Sequence, residues 1–176
     1  MWGKTNGKRW RAAGARRIAG RFAMALIVVA LAVAGLTGWI RDMAHTRSCK
    51  ANLSKIYTAL EQYEADVGRL PAIDYFPEDV LADAESLCRV LQPYGISPTN
   101  CICQATALPL RVTGITYLWN STVSRTPFYD LAPTDWLITE VNAMNDAVPA
   151  PHDGAYHVLY ANGEIREQPL PPDHLR

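Results

Sequence analysis

The sequence predicts an α+β protein, with a single N-terminal transmembrane helix that continues into a long amphipathic helix packed on a small antiparallel sheet. Three observations carry this expectation. Residues 22–40, FAMALIVVALAVAGLTGWI, hold no charge. An apolar stripe at helical spacing runs from Cys49 to Val67. Past residue 110 the apolar period shortens to that of strands, ending with Asn162-Gly163 between two β-prone runs.

The uncharged run lies between Arg21 and Arg41. At about 1.5 Å per residue it reaches roughly 28 Å, close to the hydrocarbon thickness of a bilayer. It is longer than a signal-peptide core, and Trp39-Ile40-Arg41-Asp42 offers no small-residue cleavage site, so an uncleaved anchor is expected. Residues 1–21 carry Lys4, Lys8, Arg9, Arg11, Arg16, Arg17 and Arg21 and no acid. From Arg41 onward 10 Lys+Arg stand against all 17 Asp+Glu, a balance of −7 hidden by a formal net charge of zero. Basic residues stay on the cytoplasmic side, which puts the tail inside and residues 41–176 outside. Beside a membrane span, such a tail reads as a topology signal touching lipid headgroups, not as a nucleic-acid site. The expected divisions are a basic tail (1–21), the transmembrane helix (22–40), its exported continuation (41–68) and the outer domain (69–176). Within the span, Ala30, Ala34 and Gly38 recur every four residues, the spacing of a small face for close helix packing.

The four cysteines, Cys49, Cys88, Cys101 and Cys103, all fall on the exported side, where disulfides are the default. Cys101 and Cys103 are too close to pair comfortably, so each joins Cys49 or Cys88. Cys-x-Cys can also begin a zinc site, but no second closely spaced Cys or His pair accompanies it.

Along the chain, Cys49, Leu53, Ile56, Leu60, Tyr63 and Val67 make one helix face, with Asn52, Lys55, Glu61, Gln62 and Asp66 opposite. Gly68 and Pro71 end that helix. A loop follows, then a shorter helix from Pro77 that buries Val80, Ala84, Leu87, Cys88 and Leu91 and closes at Pro93 and Gly95. Residues 93–110 read as an irregular loop stapled by the cysteines. Strands are expected over Arg111 to Asn120, with Gly114 a bulge, over Trp136 to Glu140, and as a hairpin of Ala155 to Ala161 with Glu164 to Glu167. Asn162-Gly163 fits the two-residue type I′ turn of that hairpin.

Cys49-Lys-Ala-Asn-Leu-Ser-Lys-Ile-Tyr-Thr-Ala-Leu-Glu-Gln-Tyr63, continuing to Pro71, resembles the post-membrane helix of bacterial prepilin-type proteins marked by a C-terminal His-x(9)-Asp-Gly motif. His152, followed after nine residues by Asn162-Gly163, matches that motif with Asn in place of Asp. Ile115-Thr-Tyr-Leu-Trp-Asn120 is similar to the family's Ser-Tyr-x-Tyr-Asn segment, and Cys103 falls near its mid-domain cysteine. The resemblance covers roughly residues 22–167. It implies a pilin-like lollipop fold, a bacterial inner-membrane anchor and a periplasmic domain. One departure stands out: Gly20 is followed by Arg21-Phe22, and the glutamate expected at the fifth mature position is Ala25 or Leu26. That departure argues against peptidase processing and polymerisation.

An enzyme is not expected. The only histidines are His45, His152, His157 and His174, and no nucleophile motif, P-loop or dinucleotide turn is present. His152 reads as a turn cap. Asp130, Asp135, Asn145 and Asp146 match no EF-hand spacing and read as solvated loop acids. Tyr117, Trp119, Trp136, Tyr156 and Tyr160 read as sheet core and a protein-contact face. No catalytic, cofactor or metal residue is assigned. The expected role is a structural subunit on a larger membrane complex, contacting lipid and other subunits but no nucleic acid. A minor pseudopilin of a secretion or pilus machine is the alternative, and a tethered enzyme the third reading.

Overall fold

A computed structural model describes residues 6–73, 83–114, 116–145, 147–172 and 175, with side chains from residue 24 onward. Helix α1 (Asn6–Val67) dominates the N-terminal half. The chain divides into two units, Met1–Arg41 and Asp42–Arg176. In the first, every described side chain is exposed, Leu26 at 70% and Leu31 at 68% among them. Met24–Val67 is the one described helix long and apolar enough to cross a membrane.

In the second unit the stripe of α1 buries Cys49, Leu53, Ile56, Ala59 and Leu60, while Tyr63 is half-buried. Val67, expected on this face, is exposed, so the buried stripe ends one turn early. Asn52 is buried too, against the amphipathic expectation. Its amide donates to the Ile102 carbonyl (3.3 Å) and accepts from Asn100 Nδ2 (3.2 Å), so the polar group is satisfied where it is buried. Gly68, at φ +80°, donates to the Glu64 carbonyl and ends the helix as a left-handed cap.

The helix expected from Pro77 is described only as α2 (Leu87–Leu91), begun by the Ser86 hydroxyl accepting the Arg89 N–H. Ala84 is exposed rather than buried, and Pro77 to Ala82 lie outside the described residues. Arg111 and Val112, expected to open a strand, instead end a short helix, α3 (Leu108–Val112). Pro109 in its first turn suits a helix start, and Gly114, at φ +74°, lies in the turn after α3 rather than in a strand bulge. The strand itself is short, β1 (Tyr117–Trp119).

Strands β1, β2 (Trp136–Glu140), β3 (Tyr156–Tyr160) and β4 (Ile165–Gln168) form an antiparallel meander in chain order. The register between β2 and β3 slips at Leu137, a bulge. Period-2 alternation and the pairing register put two rows of side chains on the face that meets α1. One is Trp119, Ile138, Leu159 and Ile165; the other, two residues along each strand, is Tyr117, Glu140, His157 and Glu167.

The β3–β4 turn corrects the type I′ expectation. Gly163 N–H donates to the Tyr160 carbonyl, Tyr160 N–H to the Glu164 carbonyl, and Gly163 alone has positive φ. Asn162 does not, so this is a three-residue loop with a left-handed glycine bulge. Tyr57 of α1 sits where a Gly163 Cβ would be, 2.8 Å away, so glycine is required on two counts. Both φ values are positive instead at Asp153 (+52°) and Gly154 (+85°), where His152 and Ala155 exchange backbone hydrogen bonds. The type I′ geometry belongs to Asp153-Gly154.

Candidate functional site

The polar row gathers the chemistry. Glu140 ends β2 with its side chain inward and fully buried. His157 enters from β3, also fully buried, and the Asp153-Gly154 turn delivers His152, 6% exposed. The three converge on one atom: Glu140 Oε1 is 3.1 Å from His152 Nε2 and 3.2 Å from His157 Nδ1. The imidazole rings lie tilted by 33° with centroids 3.8 Å apart. Although within reach of Oε1, His157 Nδ1 makes no hydrogen bond: the approach is close but misaligned.

Every outer atom is held. Glu140 Oε2 accepts the His157 backbone N–H at 2.6 Å. His152 Nδ1 meets Thr46 Oγ1 at 3.2 Å, and His157 Nε2 meets Glu167 Oε1 at 3.3 Å. Lys50 Nζ lies 2.8 Å from the same Glu167 oxygen and, with His157 adding, holds that carboxyl below its usual range. Tyr117, beside Glu140, donates to the Cys49 carbonyl. Burial pushes its phenol well above the usual tyrosine range, and the Glu140 carboxylate pushes it the same way.

Sulfur borders the cluster. Cys103 pairs with Cys49 (Cα–Cα 5.1 Å) and Cys88 with Cys101 (6.1 Å), one of the two pairings left open by the sequence. Cys103 Sγ is 3.5 Å from His152 Nε2. Two groups of potential ligands therefore overlap at His152: Glu140 with His157, and Cys49 with Cys103, the ligand atoms of each group within 4.8 Å of one another. A cavity of about 300 Å³, lined by Asp42, His45, Thr46 and the 150–154 turn, opens beside His152.

His152 flanks the Asp153-Gly154 turn through its backbone, and its side chain also joins a buried network, while Asn162 and Gly163 lie in the β3–β4 turn. Ala30, Ala34 and Gly38 are exposed on α1. Asp135 accepts from the Ala132 N–H before β2, and Asn145 accepts from the Ala147 N–H beyond it, so each of these two caps a local turn. Asp146 and His174 lie outside the described residues. Glu140 and His157 were missed. The signal was a charged or polar side chain at an inward position of a period-2 pattern, Ile138-x-Glu140 and His157-x-Leu159. Trp136 and Tyr160 line a larger cleft of about 480 Å³, whose one acid, Asp135, is already engaged as a turn cap.

Comparison with family models, curated proteins and solved structures finds no match for the chain.

Proposed function

We propose that this chain is a non-enzymatic structural subunit, anchored in the bacterial inner membrane by α1 and carrying a pilin-like domain in the periplasm. The domain packs on a larger membrane protein complex and stabilises it. The observation that supports this most is the uncharged run of α1, exposed on all sides from Met24 to Ile40 in the chain alone. Such a surface needs lipid or neighbouring helices. The tail charges support a cytoplasmic N-terminus. Absence of the prepilin glutamate, with Ala25 or Leu26 in its place, favours a fixed subunit over a filament-forming one. A minor pseudopilin remains the second reading, favoured by the order His152, Asn162-Gly163 behind a long apolar helix.

Extraction in mild detergent followed by mass spectrometry tests both readings. A fixed subunit co-purifies with stoichiometric membrane partners and an intact Met1–Arg21 segment, apart from the initiator Met. A chain that purifies alone contradicts the subunit reading, and a mature N-terminus at Arg21 or Phe22 transfers support to the pseudopilin. If the helix itself makes the contact, Ala34→Leu with Gly38→Leu blocks close approach and lowers partner recovery at matched membrane abundance. Unchanged recovery assigns the contact to the outer domain.

A further inference from the structure

We propose that Glu140, His152 and His157 hold a divalent cation of borderline hardness, zinc foremost, through Glu140 Oε1, His152 Nε2 and His157 Nδ1. The site does not depend on the subunit reading above.

Two features point to a cation. The first is the position of His157 between two carboxylates, Glu140 at Nδ1 and Glu167 at Nε2. A neutral imidazole has a single N–H and can donate to only one of the two carboxylates. The Glu167 contact satisfies the hydrogen-bond geometry and the Glu140 contact does not, which leaves Nδ1 fully buried, 3.2 Å from Oε1 and without a hydrogen bond. A cation held between Glu140 and the two imidazoles gives buried Nδ1 its missing partner.

The second is the outer tier. Metal-binding imidazoles characteristically tie their far nitrogen to an oxygen, fixing the tautomer and the ring plane. Here both rings do so, His152 through Thr46 and His157 through Glu167, itself steadied by Lys50. The His157 backbone N–H fixes the carboxylate. Nitrogen and oxygen ligands about 2.0–2.1 Å from a tetrahedral metal stand about 3.3 Å apart. The two edges at Glu140 Oε1, 3.1 and 3.2 Å, lie close to that value, and the two imidazole nitrogens stand within 4.8 Å of one another. Two imidazoles and a carboxylate suit zinc among divalent ions. The ion would clamp the ends of β2 and β3 to the Asp153-Gly154 turn, with the cavity beside His152 as its route in.

A competing use of the same atoms is a nucleophile triad, since Thr46, His152 and Glu140 form a hydroxyl–imidazole–carboxylate line. That reading leaves His157, Glu167 and Lys50 without a role. A thiolate site at Cys49, Cys103 and His152 would require the disulfide to be broken.

The test uses the full-length protein in mild detergent, stripped with chelator and with disulfides intact. Zn²⁺ is titrated against a chromophoric competitor, and Co²⁺ is followed by visible absorption. One metal per chain is expected, with cobalt bands that lack thiolate-to-metal charge transfer. Glu140→Gln abolishes stoichiometric binding. Thr46→Val and Glu167→Gln, at the edge of the cluster and checked for native circular dichroism, weaken binding by about 10- to 100-fold. No binding by folded wild type overturns the proposal, as does a thiolate charge-transfer band. Undiminished affinity in all three folded variants overturns it too. So does labelling by a serine/threonine-hydrolase probe that Thr46→Val removes without altering metal affinity.

Discussion

The two rows that cross the helix-facing side of the sheet share their strands, their register and their burial, yet their chemistry is opposite. Trp119, Ile138 and Leu159 are apolar and buried against the stripe of α1. Two residues along, Tyr117, Glu140 and His157 are equally buried but bring a carboxylate, an imidazole and a phenol. Burying apolar area stabilises a fold by about 25 cal/mol per Å². Burying an ion pair gains little, because desolvation offsets the attraction, and apolar replacements often match or exceed its stability. The apolar row therefore holds the domain together. The polar row adds little to stability for the area it buries, and the metal site proposed above gives it a different use.

Substitutions across the two rows sharpen this contrast. The largest expected effect lies in the apolar row: Trp119→Ala, at a site 2% exposed, lowers unfolding free energy by about 3–5 kcal/mol in denaturant titration. A loss below about 1 kcal/mol would mean the row is not the core. The disulfides come next, and they differ in the loops they close, with separations of 54 and 13 residues. Chain-entropy reasoning gives about 4 kcal/mol for Cys49–Cys103 and about 3 kcal/mol for Cys88–Cys101, so the paired serine variants should rank in that order. A reversed order places the weight of the fold away from α1.

Alkaline pH probes the polar row. Tyr117 keeps its proton in the folded state to higher pH than in the unfolded chain, because burial and Glu140 disfavour the phenolate. Its contribution is fully present below about pH 10, the ordinary tyrosine value. Above that the unfolded chain releases a proton the native state retains, and stability falls by up to about 1.4 kcal/mol per pH unit. Tyr117→Phe should flatten that slope; an unchanged slope assigns it to other groups. The smallest effect is at Lys50, an exposed partner of Glu167. Lys50→Ala should change stability by only about 0–1 kcal/mol. A larger loss would make the polar row a structural ion network.

How far the sequence revealed this contrast depended on periodicity. The α1 stripe, β2 and the β3–β4 pair were legible because their spacing is regular and each buries one face. Arg111-Val112 misled because their β propensity was outweighed by Pro109, which starts a helix. Asn162-Gly163 and Asp153-Gly154 carry nearly the same turn signal, and only the contact of Gly163 with Tyr57 and the flanking pairing separate them. The polar cluster was hardest. His152, Glu140 and His157 come from a turn and two strands, with no spacing that marks a ligand set; the β2–β3 register sets Glu140 beside His157, and the turn brings in His152.

Unfolding of the sheet domain with and without Zn²⁺ tests the division of labour most directly. The full-length chain is unfolded by denaturant in detergent, disulfides intact, with free metal about a hundredfold above its dissociation constant. If the polar row binds the ion only when folded, wild type gains about 2.7 kcal/mol, and Glu140→Gln gains nothing. Superimposable wild-type curves, or an equal gain in the variant, would contradict the account.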